Sequence, residues 1–198
     1  MRYKEFIIEG RNAVLEAFRA GKTIDKLFVL DGCQDGPVKS ILREAKKTDT
    51  IINFVDKERL DRLANSGHHQ GVVAQAAAYE YAEVEDILNA AKEKGEAPFI
   101  FILDEIEDPH NLGAIIRTAN LCGAHGVIIP KRRAVGLTAT VAKTSAGAVN
   151  YTPVAKVTNI AKTIEELKKE GMWFVCADMD GQMMYDLNLT GPIGLVIG

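Results

Sequence analysis

Along the chain, short continuous apolar runs alternate with segments whose apolar residues recur every three or four positions, a pattern that predicts an α/β protein. Its clearest expression lies between Phe99 and Pro130. Phe99 to Leu103 is an apolar run closed by Asp104, as expected of a strand buried on both faces of a parallel sheet. Asp108-Pro109 biases the backbone away from helix, and Asn111 stands as the N-cap of a helix beginning near Leu112. Leu112, Ile115, Ile116 and Ala119 mark its packed face. Arg117 lies off that face, on the side of Gly113 and Asn120, where a small residue leaves room for an approaching group. Gly123 ends the helix and Gly126 to Pro130 reads as the next buried strand, completing a βαβ unit.

The same alternation extends to both sides. A helix over Gly10 to Gly21, a strand over Leu27 to Leu30, a helix over Val38 to Lys47, a strand over Ile51 to Val55, a short helix from Asp56 through Leu63 and a strand over Gly71 to Ala78 make residues 1–78 a small α/β sandwich. Residues 79–97 are acidic and Ala-rich, with Val84, Ile87, Leu88 and Ala91 on one helical stripe, and read as an acidic linker followed by a helix leading into the second domain. In residues 98–198 the Phe99–Pro130 unit is followed by a small-residue helix over Thr138 to Ala148, in which Thr144, Ser145 and Gly147 read either as a close approach to a ligand or, as the better reading, as tight helix packing. A strand over Tyr151 to Val157, a helix over Asn159 to Glu170, a strand over Met172 to Ala177 and a last strand over Ile193 to Gly198 complete the pattern.

Composition narrows the function classes. An apolar fraction of 47% over 198 residues supplies real cores, and a net charge of -3 argues against a uniformly basic surface, so nucleic-acid contact has to come from local patches. One such patch is Lys131, Arg132 and Arg133, placed after the second strand and, if the sheet is parallel, on the same edge as the Asp104 to Asn111 turn. Another candidate is the run Ser66-Gly67-His68-His69-Gln70-Gly71. It reads either as ordinary loop polarity or as His68, His69 and Gln70 stacking on and hydrogen-bonding to unpaired bases. Cys33, Cys122 and Cys176 are expected as buried free thiols. No CxxC or His-rich spacing suggests a metal, and no GxSxG, Walker A or GxGxxG segment occurs. No signal-peptide or membrane-spanning apolar run is found, so a cytoplasmic protein is expected.

The segment DPHNLGAIIRTA, with Asn111 ahead of Arg117, resembles the first signature motif of the SpoU-type (TrmH-type) RNA ribose 2′-O-methyltransferases. Lys131-Arg132-Arg133, the run TATVAKTSAGAVNYTPVAKVTN from Thr138 and SGHHQGVVAQ from Ser66 are most similar to the branch that methylates a guanosine ribose in 23S ribosomal RNA. The resemblance implies an N-terminal L30e-like RNA-binding domain over residues 1–78 and a Rossmann-like, parallel-sheet SPOUT catalytic domain over 98–198. It further implies S-adenosylmethionine as methyl donor, a homodimer as working form, and Arg117 near the target phosphate and 2′-hydroxyl. Arginine stays protonated, so its physical role is expected to be clamping phosphate and stabilising a developing alkoxide. The family continues past a VIG-like strand into a knotted segment that completes the methyl-donor pocket. On that comparison this chain is expected to lack the C-terminal knot segment, leaving Gly198, Ala177 and Asp178 as its donor-binding residues. Two other classes stay open: a non-catalytic RNA-binding or ribosome-assembly protein with a degenerate methyltransferase fold, and a transfer RNA 2′-O-methyltransferase. An ordinary nucleotide-binding α/β enzyme is disfavoured by the missing glycine-rich phosphate loop.

Overall fold

A computed structural model describes residues 6–198, which divide into two compact units: residues up to Glu80 with Gly136–Ala139, and Tyr81–Val135 with Thr140–Gly198. The first unit runs β1 (Phe6–Glu9), α1 (Arg11–Arg19), β2 (Ile24–Leu30), α2 (Gly36–Lys47), β3 (Ile51–Val55), α3 (Lys57–Leu63) and β4 (Val72–Ala76). The sheet order is β1-β4-β2-β3, with β2 and β3 parallel and β4 antiparallel to both of its neighbours. β1 is absent from the sequence expectation, because four half-buried edge residues carry too little periodicity to be read. Val14, Phe18, Val38 and Ile41 from α1 and α2 pack on one face against Leu27, Val29, Val72 and Ala74. Leu60 of α3 covers Phe28 and Val73 on the other. Helices α2 and α3 begin where a carboxylate supplies the missing acceptor: Asp35 accepts from the Val38 N–H and Asp56 from the Arg59 N–H.

The second unit contains α4 (Val84–Lys94), β5 (Phe99–Leu103), α5 (Pro109–Leu121), β6 (Gly126–Pro130), α6 (Ala139–Thr144), a 3-10 turn (Ala148–Asn150), β7 (Val154–Val157), α7 (Ile160–Lys169), β8 (Trp173–Cys176) and β9 (Ile193–Ile197). All five strands are parallel, in the order β7-β6-β5-β9-β8. On one face Ile87 of α4 and Leu167 of α7 bury Ile100, Ile102, Ile128 and Ala155, each large aliphatic side chain contributing about 1.5–3 kcal/mol. At the amino edge His125 is 4% exposed; its Nδ1 accepts from the Phe99 N–H at 3.0 Å, and its Nε2 lies 3.0 Å from Glu96. No helix among the described residues is long and apolar enough to cross a membrane.

Three local expectations are corrected. Helix α5 starts at Pro109, not near Leu112, because the Asp108 side chain accepts from the His110 N–H and proline presets the first helical φ; Asn111 therefore sits in the first turn instead of capping it. The helix expected over Thr138 to Ala148 is only Ala139–Thr144, broken where Ala146 (φ 51) and Gly147 (φ 88) turn left-handed. Cys122 and Cys176 are exposed and Cys33 half-buried, since Cys122 caps the free end of α5 and Cys176 ends the edge strand β8.

Candidate ligand-binding edge of the parallel sheet

The order β7-β6-β5-β9-β8 contains one topological switch. From β5 the chain winds outward through β6 and β7, then crosses to the far edge and returns through β8 to β9 beside β5. In such sheets the connections leaving the two switch strands diverge to opposite faces and open a crevice at their carboxyl ends. Here those ends are Asp104 and Gly198. The Asp104 N–H donates to the Ile197 carbonyl at 2.9 Å, and a Cβ on Gly198 would lie 3.3 Å from the Asp104 carbonyl oxygen. One strand further, the Ala177 N–H donates to the Val196 carbonyl at 2.9 Å, so Gly198, Ala177 and Asp178 share this edge. Ala177 and Asp178 also line a cleft of about 810 Å³ whose walls include Val175, Leu195, Met184 and Tyr185.

On the other side of β5, two loops are tied together. The Arg133 guanidinium meets the Glu105 carboxylate at 2.5 Å, and the Val135 N–H donates to the Ile106 carbonyl at 3.0 Å. Glu105 and Arg133 both have φ 55, a conformation that side chains rarely adopt and that persists where neighbouring contacts over-determine it. Lys131 is half-buried, while Arg132 and Arg133 are exposed, which places the basic cluster on the edge shared with the Asp104 turn. Arg133 is thus already paired with a carboxylate. Arg132 has no ion-pair or hydrogen-bond partner among the described residues.

Asn111 is exposed in the first turn of α5 at this edge, with no side-chain hydrogen bond among the described residues. Arg117 is placed differently from the sequence expectation. It lies eight residues past the start of α5, about 12 Å further along a helix that runs back toward the amino edge. Its side chain is exposed and unpaired among the described residues. Gly113, read as leaving room for an approaching group, is filled by the chain itself: Thr144 and Ser145 of the segment after α6 pack against it. Sequence reasoning passed over His110, exposed between Asp108 and Asn111; a histidine abutting a candidate polar site was the available signal.

In the first unit, the run from Ser66 to Gly71 is a built loop. His69 is only 6% exposed. Its Nδ1 accepts from the Gly71 N–H at 3.0 Å, which puts the ring proton on Nε2, 2.9 Å from Asp61 Oδ1. The expected RNA contact by His69 is therefore corrected to a scaffold role, because both ring nitrogens are occupied inside the unit. His68 points outward. Gln70, at φ 51, is held by Arg11, whose backbone N–H donates to Gln70 Oε1 at 3.1 Å and whose Nε donates to the Gln70 carbonyl at 3.0 Å. The Arg11 Nη2 reaches Asp35 Oδ2 at 2.7 Å, so three loops at one sheet edge are pinned by one guanidinium.

An open parallel sheet with its crevice at the switch strands, beside one cationic loop at Lys131–Arg133, has the form of an α/β enzyme that takes its ligand at the carboxyl edge. A profile of the SpoU rRNA Methylase family matches residues 98–198, and one described as RNA 2′-O ribose methyltransferase substrate binding matches residues 7–82. The chain is 50% identical over 191 residues to YacO of Bacillus subtilis (strain 168), whose name places it among TrmH family tRNA/rRNA methyltransferases; the match covers 96% of this chain and 76% of that protein. A similarly named protein of Staphylococcus haemolyticus (strain JCSC1435) is 46% identical over 196 residues, covering 98% of this chain and 78% of its own. Two solved structures share the fold. The SpoU methyltransferase AviRb from Streptomyces viridochromogenes, solved in complex with the cofactor AdoMet, superposes with a TM-score of 0.53 at 21% identity over 100% of this chain and 74% of its own. An rRNA methyltransferase from Sinorhizobium meliloti gives 0.51 at 22% identity over 99% and 71%. The chain belongs to the SpoU rRNA methylase family and is an RNA methyltransferase.

Proposed function

We propose that the protein transfers the methyl group of S-adenosylmethionine to the 2′-hydroxyl of a guanosine ribose in 23S ribosomal RNA, in the cytoplasm and as a homodimer. The observation that carries this reading is the convergence of Asp104, Asn111, Ala177, Asp178 and Gly198 at the switch-point edge, in a chain whose residues 7–82 match an RNA 2′-O ribose substrate-binding profile. The residues present fit the methyl donor. Val175 and Leu195 give the cleft apolar walls for an adenine ring, the exposed Asp178 carboxylate suits ribose hydroxyls, and Gly198 allows close approach at Asp104. Gly198, Ala177 and Asp178 would hold it, and it supplies an electrophilic sulfonium methyl.

The protein's own residues have two tasks: to place the hydroxyl in line with that methyl and to stabilise the oxygen as its proton leaves. Asn111 orients the hydroxyl from the first turn of α5. Arg117 clamps the flanking phosphate. Because α5 carries Arg117 about 12 Å away from its own carboxyl edge, that role is exercised across the dimer, on RNA bound at the edge of the second copy. Arg132, with Lys131 and Arg133, grips the phosphate backbone, and His68 with Gln70 contacts unpaired bases from the first unit.

The names of the relatives cover both tRNA and rRNA, so a transfer RNA substrate is the second reading. Incubation with methyl-tritiated S-adenosylmethionine and either unmodified 23S ribosomal RNA or a tRNA transcript separates them. Label resistant to alkaline hydrolysis at one guanosine of the ribosomal RNA is expected. Label on tRNA alone overturns the ribosomal assignment, and label on neither RNA overturns the enzymatic reading.

A further inference from the structure

We infer that His110 is the group that receives the proton of the target hydroxyl, an inference that rests on the 2′-O-methyl transfer just proposed. Loss of that proton requires a base, which neither a permanently protonated arginine nor a carboxamide supplies. His110 stands at the right place. Asp108 Oδ1 accepts its backbone N–H at 2.6 Å, fixing the residue in the first turn of α5, next to Asn111 and at the carboxyl edge of the switch strand β5.

A side-chain neighbour favours one tautomer of the ring. Thr144 is drawn against α5 by the missing side chain of Gly113, and its hydroxyl hydrogen is committed to the Thr140 carbonyl at 2.8 Å. A Thr144 lone pair therefore faces His110 Nδ1, 3.5 Å away, and that contact is favourable only with the proton on Nδ1. Nε2 is left as the basic nitrogen of an exposed ring, with no partner among the described residues. Glu107 and Asp108 precede His110 in the chain and Lys143 precedes Thr144; β6 and the 3-10 turn at Ala148–Asn150, which also pack on α5, carry no charged residue.

In the step, the hydroxyl O–H bond breaks and its proton moves to His110 Nε2. The oxygen lone pair forms the new O–C bond, the C–S bond of the sulfonium breaks, and its electron pair stays on sulfur as a neutral thioether. The imidazolium then returns its proton to solvent.

Two measurements test this on the whole chain. Long-range proton–nitrogen correlation spectra of the ¹⁵N-histidine-labelled protein should show His110 as the Nδ1–H tautomer, a preference that Thr144→Val abolishes. An Nε2–H tautomer in the unaltered protein overturns the assignment. In methyl transfer to 23S ribosomal RNA, His110→Gln should lower kcat by about 10²–10⁴-fold, change the pH profile of kcat, and leave KM for RNA and S-adenosylmethionine affinity in place. Undiminished kcat, an unchanged pH profile, or a loss confined to RNA affinity each overturns the inference while sparing the methyltransferase reading. Absence of ribose methylation by the unaltered protein sinks that reading, and this inference with it.

Discussion

A Cβ built on Gly113 would stand 2.6 Å from the Cβ of Thr144, with Ser145 N and Val141 O each 3.0 Å away. Helix α5 and the end of α6 therefore meet at a distance that no side chain permits, and two of the three obstructing atoms are backbone. Gly113→Ala has to push the helices apart, at a cost of about 1–3 kcal/mol. The midpoint of urea unfolding should fall accordingly, and an unchanged midpoint would show that the two helices are not in close contact in solution.

The paired histidines of the Ser66–Gly71 loop should separate cleanly. His69 is buried with an acceptor and a donor both in use, so His69→Ala leaves the Gly71 N–H unpaired and should cost about 1–3 kcal/mol. His68 is exposed, and its replacement by alanine should stay within about 0.5 kcal/mol of the parent while weakening RNA binding. Thermal melts and fluorescence anisotropy with an RNA fragment read the two effects separately. Equal melting temperatures for the two variants would remove the scaffold role of His69.

What the sequence disclosed follows from which forces are local. The buried parallel strands were legible because Phe99–Leu103 and Gly126–Pro130 are uninterrupted apolar runs, and the helices because Val14 with Phe18, and Ile160 and Ile164 with Leu167, recur at helical spacing. The strand order was not legible. Nothing in the run from Ile193 says that it pairs with β5, where its partner Phe99 lies 94 residues earlier, and that pairing creates the switch-point crevice. Site residues on the turns were visible as residue types, but their engagement was not. His69 and Gln70 look alike in a polar loop, and only the folded unit shows one turned inward and the other held by Arg11. Arg117 was readable as off the packed face, whereas its distance from the carboxyl edge depended on where α5 begins. Asp108 with Pro109, rather than Asn111, decides that start.

The carboxyl-edge cations should differ in their contribution. Arg132 has no carboxylate partner among the described residues, so Arg132→Gln should lower RNA affinity across sequences and reduce the salt slope by about one. Arg133 is held by Glu105, an exposed pair that adds only about 0–1 kcal/mol to stability. Glu105→Gln removes the negative charge paired with Arg133 and should tighten non-specific RNA binding if this edge contacts RNA. Identical salt slopes for Arg132→Gln and the unaltered protein would take this cluster off the RNA-contacting surface.

Arg117 supplies the sharpest prediction, because its placement divides stability from function. It is exposed and unpaired on α5, so Arg117→Ala should change unfolding free energy by no more than about 0.5 kcal/mol. If its guanidinium serves the edge of a second copy, methyl transfer by the Arg117→Ala homodimer should nevertheless fall steeply. The decisive measurement mixes this variant with Asn111→Ala, which on this proposal should be impaired at the other half of the composite site. Co-refolded heterodimers should regain about half the activity per site, since one of their two sites then combines an intact Asn111 with an intact Arg117. Activity no higher than that of either parent would place both residues on the same protomer's site. Because α5 carries Arg117 about 12 Å along its axis from its own carboxyl edge, that result would require the side chain to reach back along α5 or α5 itself to move when RNA binds.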